Sequence, residues 1–209
     1  VTGTLYPFLG AGQVTVEDVT RSSVEKAGES LALRLRVLEG LGPALAACAD
    51  VLAAAFRAGG RLYTFGNGGS STDAQSVAQL FLTPGAGGRS LPAMSLTGDA
   101  ALLTALGNDV DFDVIFARQL AALGRPGDVA LGLSTSGGSA NVLRGLEEAR
   151  RRDLVTVGFA GSGGGRMAEE GLADHLFVIP SSSVHRVQEA QTTACHVLWE
   201  LVQRSPAGA

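Results

Sequence analysis

Beyond residue 60 the chain keeps one rhythm: a short apolar run, a turn rich in glycine and small hydroxyl residues, then a stretch of helical periodicity. The apolar runs fall at 61–65 (RLYTF), 91–96 (LPAMSL), 128–133 (DVALGL), 154–160 (LVTVGFA) and 175–180 (HLFVIP). Helical stretches follow at 70–82, 99–106, 112–123, 139–152, 164–171 and 184–204. Strands that each hand over to a helix pair in parallel, and their crossovers cover both faces of the sheet. The rhythm therefore predicts an α/β fold, a five-stranded parallel sheet flanked by helices, with ligands bound beyond the carboxyl ends of the strands. The 209 residues leave room for one such domain and a helical extension.

The extension precedes the sheet. Leu31, Leu33, Leu35, Val37 and Leu38 recur among charges at broadly helical spacing, and Pro43 suits the first turn of a second helix that Gly59 and Gly60 stop. This predicts an N-terminal helical hairpin over 15–60, between a tail at 1–14 and the α/β domain at 61–209. The tail contains LYPFL, which reads either as a loosely packed tail or as an apolar docking segment, and has no basic stretch leading into an apolar one, so no signal peptide is expected. The apolar run at 41–56 is short for a bilayer and carries Asp50, so a cytoplasmic protein with no membrane partner is expected. Residues 83–90 (TPGAGGRS) read as a flexible loop.

Charge and side-chain inventory exclude several functions. Sixteen Lys and Arg against twenty Asp and Glu give a net charge of −4, which supplies no basic face for nucleic acid. Lys26, the one lysine, lies far from every glycine-rich turn, which removes both a P-loop and Schiff-base chemistry. Cys48 and Cys195 lie in apolar helical patterns without metal-ligand spacing and read as small buried hydrophobes. A dinucleotide site is a weak match, because GNGGSS lacks the third glycine, although Asp99 follows the next strand as a ribose-binding acid would.

Three strand ends carry the chemistry. The first is Gly66-Asn67-Gly68-Gly69-Ser70-Ser71; the second is Ser134-Thr135-Ser136 followed by Gly137, Gly138 and Ser139; the third runs from Gly161 through Gly163, Gly164 and Gly165 to Arg166. Glycine lets the backbone approach an anion, a helix start offers free N–H groups and the positive end of its dipole, and hydroxyls donate further bonds. The same residues also build turns and N-caps, and one such loop alone would say no more than that. A triple hydroxyl between strand and helix, with no lysine nearby, favours a phosphate held by N–H and O–H donors.

In order along the chain, GNGGSSTDAQ, GNDVDFDVIFARQL, RPGDVALGLSTSGGSANVL, GGGRMAE and HRVQEAQTTACHVLWEL resemble the SIS (sugar isomerase) domain family over roughly 30–203, and within it the phosphoheptose isomerase branch. The resemblance implies a three-layer sandwich around the parallel sheet. It also implies a homo-oligomer, usually a tetramer, with the N-terminal helices packed between subunits, and a sugar phosphate such as sedoheptulose 7-phosphate as ligand. Carried over by position, Asn67, Gly68, Gly69, Ser70, Asp109, Ser134, Thr135, Ser136, Ser139 and Gln188 match the phosphate- and sugar-binding residues. Gln188 and His196 match the two residues beside the reacting carbonyl and are the candidate catalytic pair.

The resemblance breaks on the helix after the first glycine turn. Aldose–ketose isomerisation moves a proton between C1 and C2 and needs an acid and a base, or a metal, at the reacting atoms. Active members read DA-x-H-F-A-x-E-L there, and use that histidine and glutamate, with the glutamine and the second histidine, to bind zinc. Here Ser76 stands for the histidine and Leu80 for the glutamate. Gln79 lies one position from Leu80 and has no useful basicity, and Glu189 and Glu169 are the nearby acids, but Glu189 is not the family base. His175 reads as structural, and His185, a departure from the family just before RVQE, is a candidate to replace one lost group beside His196 in the alternative reading. The expectation is a phosphosugar-binding protein without zinc, acting as a sensor or protein-interaction module. An active sedoheptulose 7-phosphate isomerase with altered catalytic residues is the alternative. A relative, the DnaA initiator-associating protein, is a tetrameric module of the non-catalytic kind.

Overall fold

In the computed structural model, which describes residues 15–85 and 87–205, the strands are β1 (Leu62–Gly66), β2 (Ala93–Ser95), β3 (Val129–Ser134), β4 (Val155–Gly161) and β5 (His175–Ile179). All pair in parallel, in the order β2-β1-β3-β4-β5. The helices are α1 (Val16–Arg57), α2 (Gly69–Leu82), α3 (Ala100–Asp109), α4 (Ile115–Leu123, entered by a 3-10 turn at Phe112–Val114), α5 (Ala140–Arg151), α6 (Gly165–Glu169) and α7 (Val184–Arg204). The expected sheet and its flanking helices are all present. The tail at 1–14, LYPFL included, and the last residues at 206–209 lie outside the described residues.

Every residue of β1 and β3 is buried, because the central strands of a parallel sheet are covered on both faces. Alternation along each strand then divides the core in two. Leu62, Leu131 and Leu133 join Leu52, Phe81 and Leu198 on the face covered by α1, α2 and α7. Tyr63, Phe65 and Ala130 join Phe116, Leu120 and Leu146 on the face covered by α4, α5 and α6. The result is three layers, helix on sheet on helix.

One expectation needs correction. The two helices of the hairpin are a single 42-residue helix with Pro43 inside it, about 63 Å long at 1.5 Å per residue. A proline in a helix interior removes one hydrogen bond and costs about 3 kcal/mol. The buried stripe decides the outcome: Leu33, Val37, Leu45, Cys48 and Leu52 keep helical spacing straight across the proline and pack on α7, β5 and the sheet. Tertiary packing thus overrides the local stop signal. The same continuity gives α1 the length and hydropathy of a membrane span, but the apolar side of its second half is spent inside the core. Before Ser30 no residue of α1 is buried, so its first turns project from the domain. Thr15 and Asp18 close that end in a capping box.

The loop at 83–90 is also tied down rather than free at its end. The Arg89 guanidinium donates to the carbonyls of Val202, Gln203 and Ser205 at 3.0, 3.3 and 3.2 Å, which caps the end of α7. The Gln203 side chain exchanges two bonds with the Arg89 backbone, 2.8 and 2.9 Å long.

Candidate functional site

The sheet order reverses between β1 and β3, so the connections leaving these strands diverge and open a crevice at their carboxyl ends. The serine loop forms one wall. Buried Ser134, the last residue of β3, has its Oγ 3.0 Å from Ser139 Oγ and 3.4 Å from Ser136 Oγ, and Ser136 Oγ accepts from Gly138 N at 3.1 Å. Ser139 is the N-cap of α5, yet its side chain does not cap the helix. Three hydroxyls therefore converge at a helix start whose first N–H groups are left to another acceptor, an arrangement suited to phosphate oxygens. Thr135 completes the run, and its hydroxyl makes no hydrogen bond among the described residues.

The turn at Gly161–Gly165, read from sequence as a third anion loop, supports the serine loop instead. Gly137 adopts φ +64°, and a Cβ there would overlap the carbonyl oxygen of Gly164. Met167 N donates to Gly137 O at 2.8 Å, so the start of α6 grips the back of the loop.

The other wall is the end of β1 and the start of α2. Asn67 pairs its amide with that of Asn141 in α5, which spans the crevice. Gly68, at φ +56°, is the N-cap of α2 and offers no side chain, so this helix start also lacks a side-chain cap. Ser70 is buried, its N–H donates to Asn67 O at 3.0 Å, and its hydroxyl is unbonded among the described residues. A Cβ on Gly69 would overlap Gln188 Nε2, so the glycine is what lets the Gln188 amide lie over the helix start.

From there α2 and α7 run side by side and bound a cleft of about 260 Å³ lined by Gly69, Thr72, Asp73, His185, Gln188, Glu189 and Thr192. A second cleft of about 340 Å³, lined by Arg34, Glu189, Thr192, Thr193 and His196, continues along α7. Gln188 and His196 thus open on adjoining clefts. Exposed Ser76 has its hydroxyl committed to Thr72 O at 3.0 Å. Leu80 is half-buried and belongs to neither main core cluster. Among the described residues no three His, Cys, Asp or Glu side chains gather as a metal site. Gln188 and His196, with only a committed hydroxyl at Ser76 and an apolar side chain at Leu80, do not fit the zinc set implied by the resemblance.

Sequence reasoning missed Asp73. Thr192 Oγ1 donates to its Oδ1 at 3.4 Å, while Oδ2 is buried without a partner. Burial pushes this carboxyl above its usual range, against the Thr192 bond that lowers it. Its signal was position: four residues after Gly69, on the face turned to α7. Other candidates fall away from the clefts or are already engaged. Glu189 is held by the Ser30 hydroxyl and by Arg34 at 3.4 Å. Asp109 ends α3, exposed, with its Oδ1 taking a 2.7 Å bond from Asn108, and no bond links it to the serine loop. Asp99 caps α3 through Leu102 N at 2.9 Å rather than facing a ribose. His175 opens β5 opposite Val157, and Glu169 is exposed on α6. Burial raises the Cys48 thiol to about 12 and that of Cys195 higher still, so both remain inert thiols. A wider groove of about 630 Å³ lies behind α5, between α4 and α6, where arginines and carboxylates mix and the serines take no part.

Comparison with known proteins gives a consistent result. The SIS domain model matches residues 27–161. The phosphoheptose isomerase of Roseiflexus sp. strain RS-1 is 40% identical over 190 residues, covering 90% of this chain and 95% of that protein. The phosphoheptose isomerase of Paramagnetospirillum magneticum is 47% identical over 164 residues, covering 78% of this chain and 82% of that protein. Among solved structures, a phosphoheptose isomerase from Francisella tularensis superposes with a TM-score of 0.83 at 32% identity, covering 92% of this chain and all of that one.

Proposed function

The chain belongs to the SIS-domain family, in its phosphoheptose isomerase branch, and from that premise we propose that it binds a sugar phosphate, sedoheptulose 7-phosphate being the first candidate, without isomerising it by the family route. The phosphate would lie on the serine loop, against Ser134, Thr135, Ser136, Ser139 and the first N–H groups of α5, and the sugar chain would run past Asn67 and Ser70 toward Gln188. Asp109 would reach this ligand only by movement of α3 or from another subunit.

The observation that carries the reading is the contrast between the serine loop and α2. Three hydroxyls converge within 3.4 Å contacts in the loop, while on α2 the two positions that the family resemblance marks for catalysis are Ser76, bound to its own helix, and Leu80. Replacing a general base by leucine removes a contribution of about 10²–10⁴ in rate. Exposed His196 and the neutral Gln188 amide supply no matched acid–base pair, and zinc would find too few donors. The consequence is a ligand-reading module, a sensor or protein-interaction partner, working as a homo-oligomer. Val16, Val19 and Val24 on the projecting part of α1, with Leu31 and Leu35 just beyond it, are exposed apolar side chains, which supports packing of this helix against a second copy.

Two measurements on one sample test this: calorimetry for sedoheptulose 7-phosphate binding, and NMR for its conversion with and without zinc. Binding with no conversion is the expected result. Conversion that disappears in His196→Ala would overturn the reading and assign the isomerase reaction to a different acid–base set.

A further inference from the structure

The sugar-phosphate reading leaves open how the crevice holds its shape, and the inference here rests on that reading. The Asn67 and Asn141 amides face one another: Asn67 Nδ2 donates to Asn141 Oδ1 at 2.7 Å, and Asn141 Nδ2 donates to Asn67 Oδ1 at 2.9 Å. The two residues are 74 positions apart in sequence and sit on the two connections that diverge at the switch in strand order. Asn67 is the first residue beyond β1, and Asn141 lies in the first turn of α5, just beyond the serine loop. Their exposures differ. Asn141 is 2% exposed, a buried polar group, whereas Asn67 is only half-buried at the crevice.

A primary amide carries two N–H donors and an oxygen with two lone pairs. The reciprocal pair uses one donor and one lone pair on each side. Asn67 keeps one donor and one lone pair, fixed in the plane that Asn141 imposes. Adjacent sugar hydroxyls, each able to donate and accept, are the natural complement of such an edge. An unrestrained asparagine would have to be ordered when the ligand arrives, at a cost to affinity, and the pairing meets that cost in advance.

We propose that Asn141 is a positioning residue: its side chain clamps Asn67 so that the remaining donor and acceptor of Asn67 face a sugar diol, and it fixes the width between the β1 and β3 connections. Asn141 itself need not touch the ligand.

The test joins NMR of the unliganded protein with calorimetry using sedoheptulose 7-phosphate. In the wild type the two Asn67 side-chain N–H protons should be unequal and slow to exchange with solvent, and in Asn141→Ala they should move to free-amide values. Asn141→Ala should weaken binding about tenfold, the scale of two neutral hydrogen bonds. Asn67→Ala should weaken it at least as much, and adding Asn141→Ala to Asn67→Ala should cost nothing more, because the second residue acts only through the first. Asn141→Asp separates a clamp from simple packing. Its carboxylate sets two acceptors against Asn67, but the protonated acid restores one donor and one acceptor. The ratio of its Kd to that of the wild type should therefore fall from about ten at pH 7.5 toward one as the pH is lowered through the carboxyl pKa.

Additive losses in the double variant, a pH-independent ratio, or unchanged Asn67 signals in Asn141→Ala would each overturn the proposal. A wild type that binds no sugar phosphate would instead sink the functional reading, while the Asn67 signals still decide whether the clamp exists.

Discussion

The serine loop after β3 and the facing surfaces of α2 and α7 border adjoining space at the same edge of the sheet, yet they are built in different ways. In the loop the polar groups are arranged by one another and braced by the next turn: Ser134 meets Ser139 at 3.0 Å, and Gly137 is gripped from behind by the start of α6. On α2, Ser76 and Leu80, the positions that the family resemblance marks for acid–base chemistry, are outside both main core clusters. Binding groups embedded in the fold are costly to change, because the sheet and three connections depend on them. Groups on an outward helix face can be replaced with almost no cost to stability. Under the proposed reading a chain of this family loses its chemistry and keeps its ligand site, and this difference in structural support is the physical feature that permits it.

The largest expected effect tests the α2 face. Ser76→His together with Leu80→Glu should bring zinc-dependent conversion of sedoheptulose 7-phosphate at least about a hundredfold above the parent, within the range a positioned base supplies, whereas Leu80→Glu alone should give none. Failure of the double variant to gain activity, measured by NMR with zinc present, would mean that more than these two positions separates this site from catalysis. Next in size is Gly137→Ala, which combines a φ of +64° with overlap on Gly164 O. Strain of about 3 kcal/mol should lower the thermal midpoint by about 10 °C for a chain of this length and abolish measurable sugar-phosphate binding. Retained affinity would show that the loop's form is not what holds the ligand. Ser134→Ala should weaken binding about tenfold and cost about 1 kcal/mol of stability, lowering the thermal midpoint by about 3 °C, and an unchanged calorimetric Kd would remove this hydroxyl from the phosphate site.

The smallest effect concerns Asp73. Burial raises its folded pKa above the unfolded value, so the carboxylate form costs stability at neutral pH. Asp73→Asn should therefore have a slightly higher thermal midpoint than the wild type at pH 7.5. That gain should shrink as the pH falls through the raised folded value, and vanish below the unfolded value of about 3.9. A gain that persists at pH 3.5 would trace the effect to something other than this titration.

Much of this was legible in the order of residues. The strand runs and helical stretches were readable because a parallel sheet demands long apolar runs and crossovers, a local and repetitive signal. The serine loop was readable because its hydroxyls and glycines are contiguous. The hairpin expectation failed because Pro43 is a local signal, while the stripe that keeps α1 continuous is recognisable only once α7 and β5 are there to bury it. The packing of the turn at Gly161–Gly165 against the serine loop was hidden for a related reason: glycines that suit an anion and glycines that receive another loop look alike in sequence. Asp73 and Asn141 gave no sign on their own, since each is defined by a partner more than 70 residues away.

By itself the sequence determined the class of fold, the family, the hydroxyl-rich loop after the third strand, and the presence of Ser76 and Leu80 on the helix after the first glycine turn. These follow from residue types at short spacing, where chemistry and periodicity act locally. Only the tertiary structure decided that α1 is one helix, that the third glycine turn braces the second, that Gln188 rests on Gly69, and that Asn67 meets Asn141. Each of these depends on distances between segments far apart in the chain, which side-chain packing sets once the sheet has formed.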